Sequence, residues 1–176
     1  MTDAALSSDN LFLRDVAALR SSAQGYLAQQ PGSTPAEATI ALLQTALTIE
    51  IVCVWRYTMM SVSTQGLREE RVGFEFQEQA NDERKHTRMV AERIEQLGGV
   101  ADFQPKGLMS GLAMDYNADF DGMIAQNLKA EQSVVEYYSD LIEHFQDSDP
   151  RTTVMLETIL QDEQDHATDM QDLLAS

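Results

Sequence analysis

The chain is short of cysteine and of positive charge. Its single cysteine, Cys53, excludes an intramolecular disulfide and favours a reducing compartment. Twelve lysines and arginines stand against 29 aspartates and glutamates, a net charge of −17. Such a surface repels DNA phosphates and anionic lipid and draws in cations. The opening segment MTDAALSSDN carries no lysine or arginine, so neither a secretory leader nor a basic DNA-binding arm is expected there. With one cysteine there is no Cys-x-x-Cys, and so no rubredoxin-type electron-transfer domain. No segment keeps up a period-two alternation, and no hairpin signal is found. The uninterrupted apolar runs fall far short of a membrane span. These absences point to a soluble cytoplasmic protein that neither enters membranes nor binds DNA.

Hydrophobic residues make up 43% of 176, enough for one domain with a sizeable core. Helical periodicity accounts for nearly all of it. A helix is expected over about residues 10–29, with Leu11, Leu13, Val16 and Leu19 on its apolar side, and PGSTP at 31–35 ends it. Thr34, Pro35 and Glu37 form a capping box with proline at the first helical position, opening a helix to about Ser63. The next runs from about Leu67 to Leu97 and stops at Gly98-Gly99; Gly73 inside it need not break it. Residues 98–117 form a long connection. The fourth helix covers about Asp119 to Phe145, and the fifth opens at Asp149-Pro150 and runs nearly to the end. Short links make two antiparallel hairpins, and the long link can run the length of a bundle. The expected fold is all-α. It is a four-helix bundle with one long crossover over 35–176, preceded by an N-terminal extension, 1–34, with one extra helix.

Each of the four long helices carries a glutamate inside its own apolar stripe. Glu50 lies among Leu43, Leu47, Val54 and Tyr57; Glu131 among Ile124, Leu128, Val135 and Tyr138. Phe76, Ala80 and Val90 flank Glu83 and His86, while Leu156, Ile159 and Met170 flank Glu163 and His166. A buried carboxylate is costly unless it is protonated or paired. Four of them in one core call for a common explanation, and their heights supply it. Glu50 to Glu83 spans 33 positions and Glu131 to Glu163 spans 32, each pair bracketing a tight turn. Tyr57 and Tyr138 each follow the first glutamate of a hairpin by seven residues, as in a diverged duplication.

Four carboxylates and two imidazoles balance the charge of two divalent ions, and a Glu-x-x-His pair presents both groups on one helical face. Iron or manganese suits this donor set, with zinc able to compete. A lone Glu-x-x-His is weak in so acidic a chain; two of them, with two further glutamates at matched heights, are not. His144 stands outside the pattern, near a helix C-terminus where its charge is welcome. Cys53, one turn beyond Glu50, reads mainly as core, and the nine methionines read as core filling.

These residues resemble the ferritin superfamily, and within it the bacterioferritin-like and Dps-like proteins. The resemblance rests on Glu50 with Tyr57 downstream, Glu83 and His86 in DERKH, Glu131 in NLKAEQ, and Glu163 and His166 in QDEQDH, and covers about residues 36–175. It implies that Glu83 and Glu163 bridge two iron ions, that Glu50 with His86 completes one and Glu131 with His166 the other, and that Tyr57 is an electron donor beside the centre. It implies a ferroxidase that oxidises Fe²⁺ with O₂ or H₂O₂ and stores or detoxifies iron. Arg84 stands where bacterioferritin has its haem methionine, so haem is not expected. Ten residues follow His166, too few for the extra C-terminal helix of 24-subunit cages. A 12-subunit homo-oligomer is therefore favoured over 24, with a dimer as the remaining option. The competing readings are a di-iron or di-manganese redox enzyme without storage, such as a peroxidase, catalase or oxygenase, and a Dps-type protective structural protein.

Overall fold

The structure is a computed structural model that describes residues 35–63, 67–104 and 120–175, with Ala18 and Ser21 besides. Four long helices make up the described chain: α1 (Pro35–Ser63), α2 (Leu67–Gln96), α3 (Phe120–Phe145) and α4 (Pro150–Ala175). Their bounds fall within a residue or so of those expected from capping and periodicity, and α2 passes unbroken through Gly73. Among the described residues there is no strand. Apart from the helical, exposed Ala18 and Ser21, the expected helix over 10–29 lies outside the described residues, as do 105–119 of the crossover.

The helix ends show why the chain turns where it does. Gly98 has a φ of 84°, open to glycine and unfavourable for most other residues. Its amide donates to the Glu95 carbonyl at 3.0 Å, and the Gly99 amide donates to Ile94 at 3.0 Å. These two bonds form the Schellman closure of α2. Gly99 packs against Ile40 and Ile94 so closely that a Cβ there would meet both side chains at 3.0 Å. The chain leaving α2 is then tied to α1, because the Asp102 amide donates to Gln44 Oε1 at 2.9 Å.

Three contacts fix the direction of every helix. Arg93, near the end of α2, donates to Asp149 at the start of α4 at 2.8 Å. The Tyr137 hydroxyl, late in α3, donates to the Leu42 carbonyl, early in α1, at 3.1 Å. Asn127, early in α3, meets Arg56 at 3.5 Å late in α1. The end of α2 and the start of α3 therefore lie at opposite ends of the bundle. These two ends stand a bundle length apart, roughly 40 Å at 1.5 Å per residue. The result is a four-helix bundle with one long crossover.

The core fills two apolar slabs. One, toward Arg93, holds Leu43, Leu47, Val90, Ile94, Phe145, Leu156 and Ile159; the other holds Tyr57, Met60, Phe76, Ala80, Ile124, Met170 and Leu173. Each large aliphatic side chain buried this way contributes about 1.5–3 kcal/mol. By composition and length α1 could cross a membrane, but most of that stretch is buried inside the bundle, and Glu50 and Arg56 lie within it. Its apolarity is that of a central bundle helix.

Asp149 caps α4. Its carboxylate accepts from the Thr152 amide at 3.1 Å, from the Thr152 hydroxyl at 2.6 Å and from the buried Arg93. Burial alone would raise its pKa; the Thr152 bonds and the Arg93 guanidinium outweigh that and hold it below the usual carboxylate range. Asp149→Ala should lower the melting temperature by roughly 3–6 °C, from a loss of about 1–2 kcal/mol. Because the folded pKa is depressed, the contribution is present above the unfolded value and is lost as pH falls through the folded one. The gap between wild type and variant should therefore narrow in acid, as thermal melts at a series of pH values will show.

Candidate metal centre

Between the two apolar slabs lies a layer of acid. Glu50, Glu83, His86, Glu131, Glu163 and His166 all sit in it, none more than 4% exposed. The helical register explains their meeting. Glu83 and His86, and likewise Glu163 and His166, are one turn apart on the inward faces of α2 and α4, while Glu50 and Glu131 come in at the same level from α1 and α3.

The imidazoles are aimed. His86 Nδ1 lies 3.3 Å from Glu50 Oε2, 3.5 Å from Glu83 Oε2 and 3.2 Å from Glu163 Oε1. His166 Nδ1 lies 3.6 Å from Glu83 Oε1 and 3.7 Å from Glu163 Oε2. Each outer nitrogen faces an aspartate of the opposite helix: His86 Nε2 is 3.0 Å from Asp162 Oδ2, and His166 Nε2 is 3.7 Å from Asp82 Oδ2. A carboxylate behind an imidazole fixes the ring and keeps the proton on the outer nitrogen, leaving the inner one free to bind a cation. The two rings stand 6.3 Å apart between centroids.

Two overlapping quartets emerge. Glu50, Glu83, His86 and Glu163 bring one donor atom each to within 4.8 Å of one another, and so do Glu83, Glu131, Glu163 and His166. Glu83 and Glu163 belong to both. Donors at about 2.0–2.2 Å from an ion lie up to roughly 4 Å apart, so a small inward movement would seat one. Both oxygens of Glu83, Glu131 and Glu163, Oε2 of Glu50 and Nδ1 of both histidines have no hydrogen-bond partner. Buried polar atoms left this way cost about 1–3 kcal/mol each unless something meets them. The donor set thus fits a pair of cations, and two M²⁺ would cancel four carboxylates.

Electrostatics tells the same story. Burial, then repulsion from Glu163 and Glu50, pushes the Glu83 carboxyl well above the usual range. Burial and Glu163 do the same to Glu131, against the pull of Arg56. Glu163 goes the other way: burial would raise it, but His166 and His86 hold it well below. Both imidazoles are raised, because the nearby glutamates, Glu163 foremost, outweigh burial. Protons thus compete with cations for Glu83, Glu131 and the two imidazoles.

The two tyrosines differ. The Tyr138 hydroxyl donates to Glu50 Oε1 and leaves Oε2 facing His86. Tyr57 is buried against Phe76, centroids 6.2 Å apart, and its hydroxyl has no hydrogen-bond partner. Cys53 is buried and belongs to neither quartet; burial, then Glu83 and Glu131, hold its thiol well above its ordinary range. His144 is packed edge-on against Phe145, outside the layer. Four groups at the site have no counterpart in the sequence reading: Asp82, Asp162, Tyr138 as a donor to Glu50, and the buried Arg56 with Asn127 beside Glu131. The aspartates had a signal, since each directly precedes the glutamate of a Glu-x-x-His pair.

A family profile described as the ferritin-like domain matches residues 40–176. The chain belongs to that family. Solved structures of the family's bacterioferritin-related and Dps members share the fold. A dodecameric thioferritin, the bacterioferritin-related protein of Bacteroides fragilis, superposes with a TM-score of 0.71 at 25% identity, over 88% of this chain and 92% of that one. A Dps1 mutant of Mycobacterium smegmatis gives 0.71 at 19% identity, over 81% and 99%. The Dps homologue of Halobacterium salinarum gives 0.70 at 20%, over 79% and 80%. No curated protein sequence matches the chain. As a ferritin-like protein it carries a buried Glu/His cluster suited to a metal site.

Proposed function

We propose that the protein is a cytoplasmic ferroxidase that oxidises Fe²⁺ with O₂ or H₂O₂ at a dinuclear centre within each subunit and stores or detoxifies the product. One observation carries this reading: two quartets of buried donors that share Glu83 and Glu163. In it, Glu50 and His86 would hold one iron ion and Glu131 and His166 the other, with Glu83 and Glu163 shared between them. Iron is the metal of this assignment, with manganese and zinc as competitors for the same donors. Two-metal sites place their ions about 3.5–4 Å apart, close enough for one oxidant to draw an electron from each.

The electrons balance simply. Two Fe²⁺ give up one electron each. O₂ takes both, with two protons, and leaves as hydrogen peroxide; H₂O₂ as oxidant takes them and leaves as two waters. The chain's part is to place and to compensate. Glu83, Glu131, His86 and His166 give up their protons as cations arrive, so loading strengthens as pH rises. Glu83 and Glu163, which belong to both quartets, would supply negative charge to both ions. Asp162 and Asp82 hold the imidazoles in register from behind. Tyr138 orients Glu50, and the Tyr57 phenol would act as electron donor where H₂O₂ meets a single Fe²⁺, giving up one electron with its proton. A twelve-subunit cage is the proposed assembly, in keeping with the dodecamer named for the Bacteroides fragilis relative.

The test needs one preparation of metal-free protein. Adding two equivalents of Fe²⁺ per chain under O₂ or H₂O₂ should give ferric absorbance far faster than in buffer, with no change under argon. Continued addition should then build a scattering mineral core in particles of cage mass. Oxidation at the buffer rate would end the ferroxidase reading, while rapid oxidation without mineral would move the protein to the non-storage redox enzymes.

A further inference from the structure

The two hairpins repeat each other across the cage. A shift of 80 positions carries Asp82, Glu83 and His86 of α2 onto Asp162, Glu163 and His166 of α4. A shift of 81 carries Glu50 and Tyr57 of α1 onto Glu131 and Tyr138 of α3. The repeat fails at one place. The same shift carries Arg56 onto Tyr137 and Ala46 onto Asn127, and all four are buried. Beside Glu50 stands the neutral Tyr137, whose hydroxyl donates to the Leu42 carbonyl. Beside Glu131 stands a guanidinium. Packing does not ask for one, since a tyrosine fills the equivalent place on α3.

Asn127 anchors that charge. Arg56 Nη2 donates to Asn127 Oδ1 at 3.5 Å, and the Asn127 amide donates to Met60 Sδ at 3.1 Å. Glu131 follows Asn127 by one turn of α3. Arg56 does not clasp this carboxylate: neither Glu131 oxygen has a hydrogen-bond partner, so both stay open to an ion. The guanidinium keeps its charge at any working pH, so its field is a fixed part of the site. An entering M²⁺ brings two positive charges and displaces at most one proton from Glu131, so Arg56 opposes the exchange. The other half of the cage has no such charge. Glu50 accepts from the neutral Tyr138 phenol and turns Oε2 toward His86. The donors there are also drawn closer: His86 Nδ1 lies within 3.5 Å of three glutamates, His166 Nδ1 within 3.7 Å of two.

We propose that the buried Arg56, held by Asn127, sets the order in which the cage fills: the position of Glu50 and His86 takes the first cation, and the position of Glu131 and His166 fills second and empties first. That the cations are iron rests on the ferroxidase reading; that the two positions differ does not. Paired oxidation needs both ions, so Arg56 then sets the Fe²⁺ concentration at which turnover begins.

Anaerobic calorimetric titration of metal-free protein with Co²⁺ tests this. Wild type should take up two ions per chain in two resolved steps, roughly 10–100-fold apart in affinity. Arg56→Met, similar in reach and neutral, should tighten the second step by about tenfold and leave the first nearly unchanged. Arg56→Lys keeps the charge and should keep the gap, a distinction that a packing role would not make. Two further variants assign the positions even if Arg56→Met fails to fold: Glu131→Ala should retain the tight step and Glu50→Ala the weak one. Under O₂, Arg56→Met should reach its half-maximal oxidation rate at about tenfold lower Fe²⁺. The reverse assignment, or the same two steps in Arg56→Met as in wild type, overturns the proposal and leaves the ferroxidase reading intact. Unequal steps closed up by Arg56→Met, in a protein that oxidises Fe²⁺ only at the buffer rate, uphold the proposal and overturn the ferroxidase reading.

Discussion

Rapid oxidation of Fe²⁺ should be abolished by Glu83→Ala and equally by Glu163→Ala. Either change removes a donor from both quartets at once, because each of these carboxylates reaches both proposed metal positions. The remaining groups cannot cover the loss: Glu50 and Glu131 enter from opposite hairpins and each belongs to one quartet only. Removing a group behind a metal ligand typically costs 10–100-fold, so losing a bridging ligand should cost roughly 100-fold or more. Glu50→Ala and Glu131→Ala should fall between, since each leaves one quartet whole. Stopped-flow absorbance after mixing metal-free variants with Fe²⁺ and O₂ reads the rates, with circular dichroism to show that the bundle remains. Wild-type rates in both bridging variants would refute the assignment of these residues.

Much of this arrangement was written in the sequence, because a bundle obeys two simple rules. Helical periodicity set Glu50, Glu83, Glu131 and Glu163 on apolar stripes, and the tight turns set their heights. Those rules locate a residue along an axis and on a face, which was enough to bring six side chains into one layer. They do not give the rotation of one helix against its neighbour, and that is where legibility stopped. Tyr57 and Tyr138 stand at the same spacing from Glu50 and Glu131, yet only the phenol of Tyr138 reaches across to Glu50. Asp82 and Asp162 look like solvated neighbours of the motif; their role depends on α2 and α4 running antiparallel, so that each aspartate meets the other helix's histidine. Gln79 gave no signal, because a glutamine one turn from a glutamate on an acidic helix reads as a surface residue until it is found buried.

The cage should also weaken the protein that carries it, and removing part of it should strengthen the metal-free bundle. Glu131 is fully buried, neither of its oxygens has a hydrogen-bond partner, and burial, then Glu163, pushes its carboxyl well above the usual range. Methionine fills nearly the same volume without the polar atoms. Replacing buried ionisable groups by apolar ones of similar size commonly stabilises by about 1–4 kcal/mol. Glu131→Met should therefore raise the melting temperature of chelator-treated protein by roughly 5–10 °C. Divalent cation should act in the opposite order: a large rise for wild type, about 10 °C or more at saturation, and a smaller one for the variant, which keeps one quartet. The pH dependence has a definite sign. Glu83, Glu131, His86 and His166 all bind protons more tightly folded than unfolded, so the stability they lend is lost as pH rises. Glu163, held low, titrates in acid and does not offset this. The gap between loaded and metal-free protein should then widen from about pH 6 to about pH 8. A metal-free Glu131→Met variant less stable than wild type would mean that Glu131 already has a partner in the empty cage.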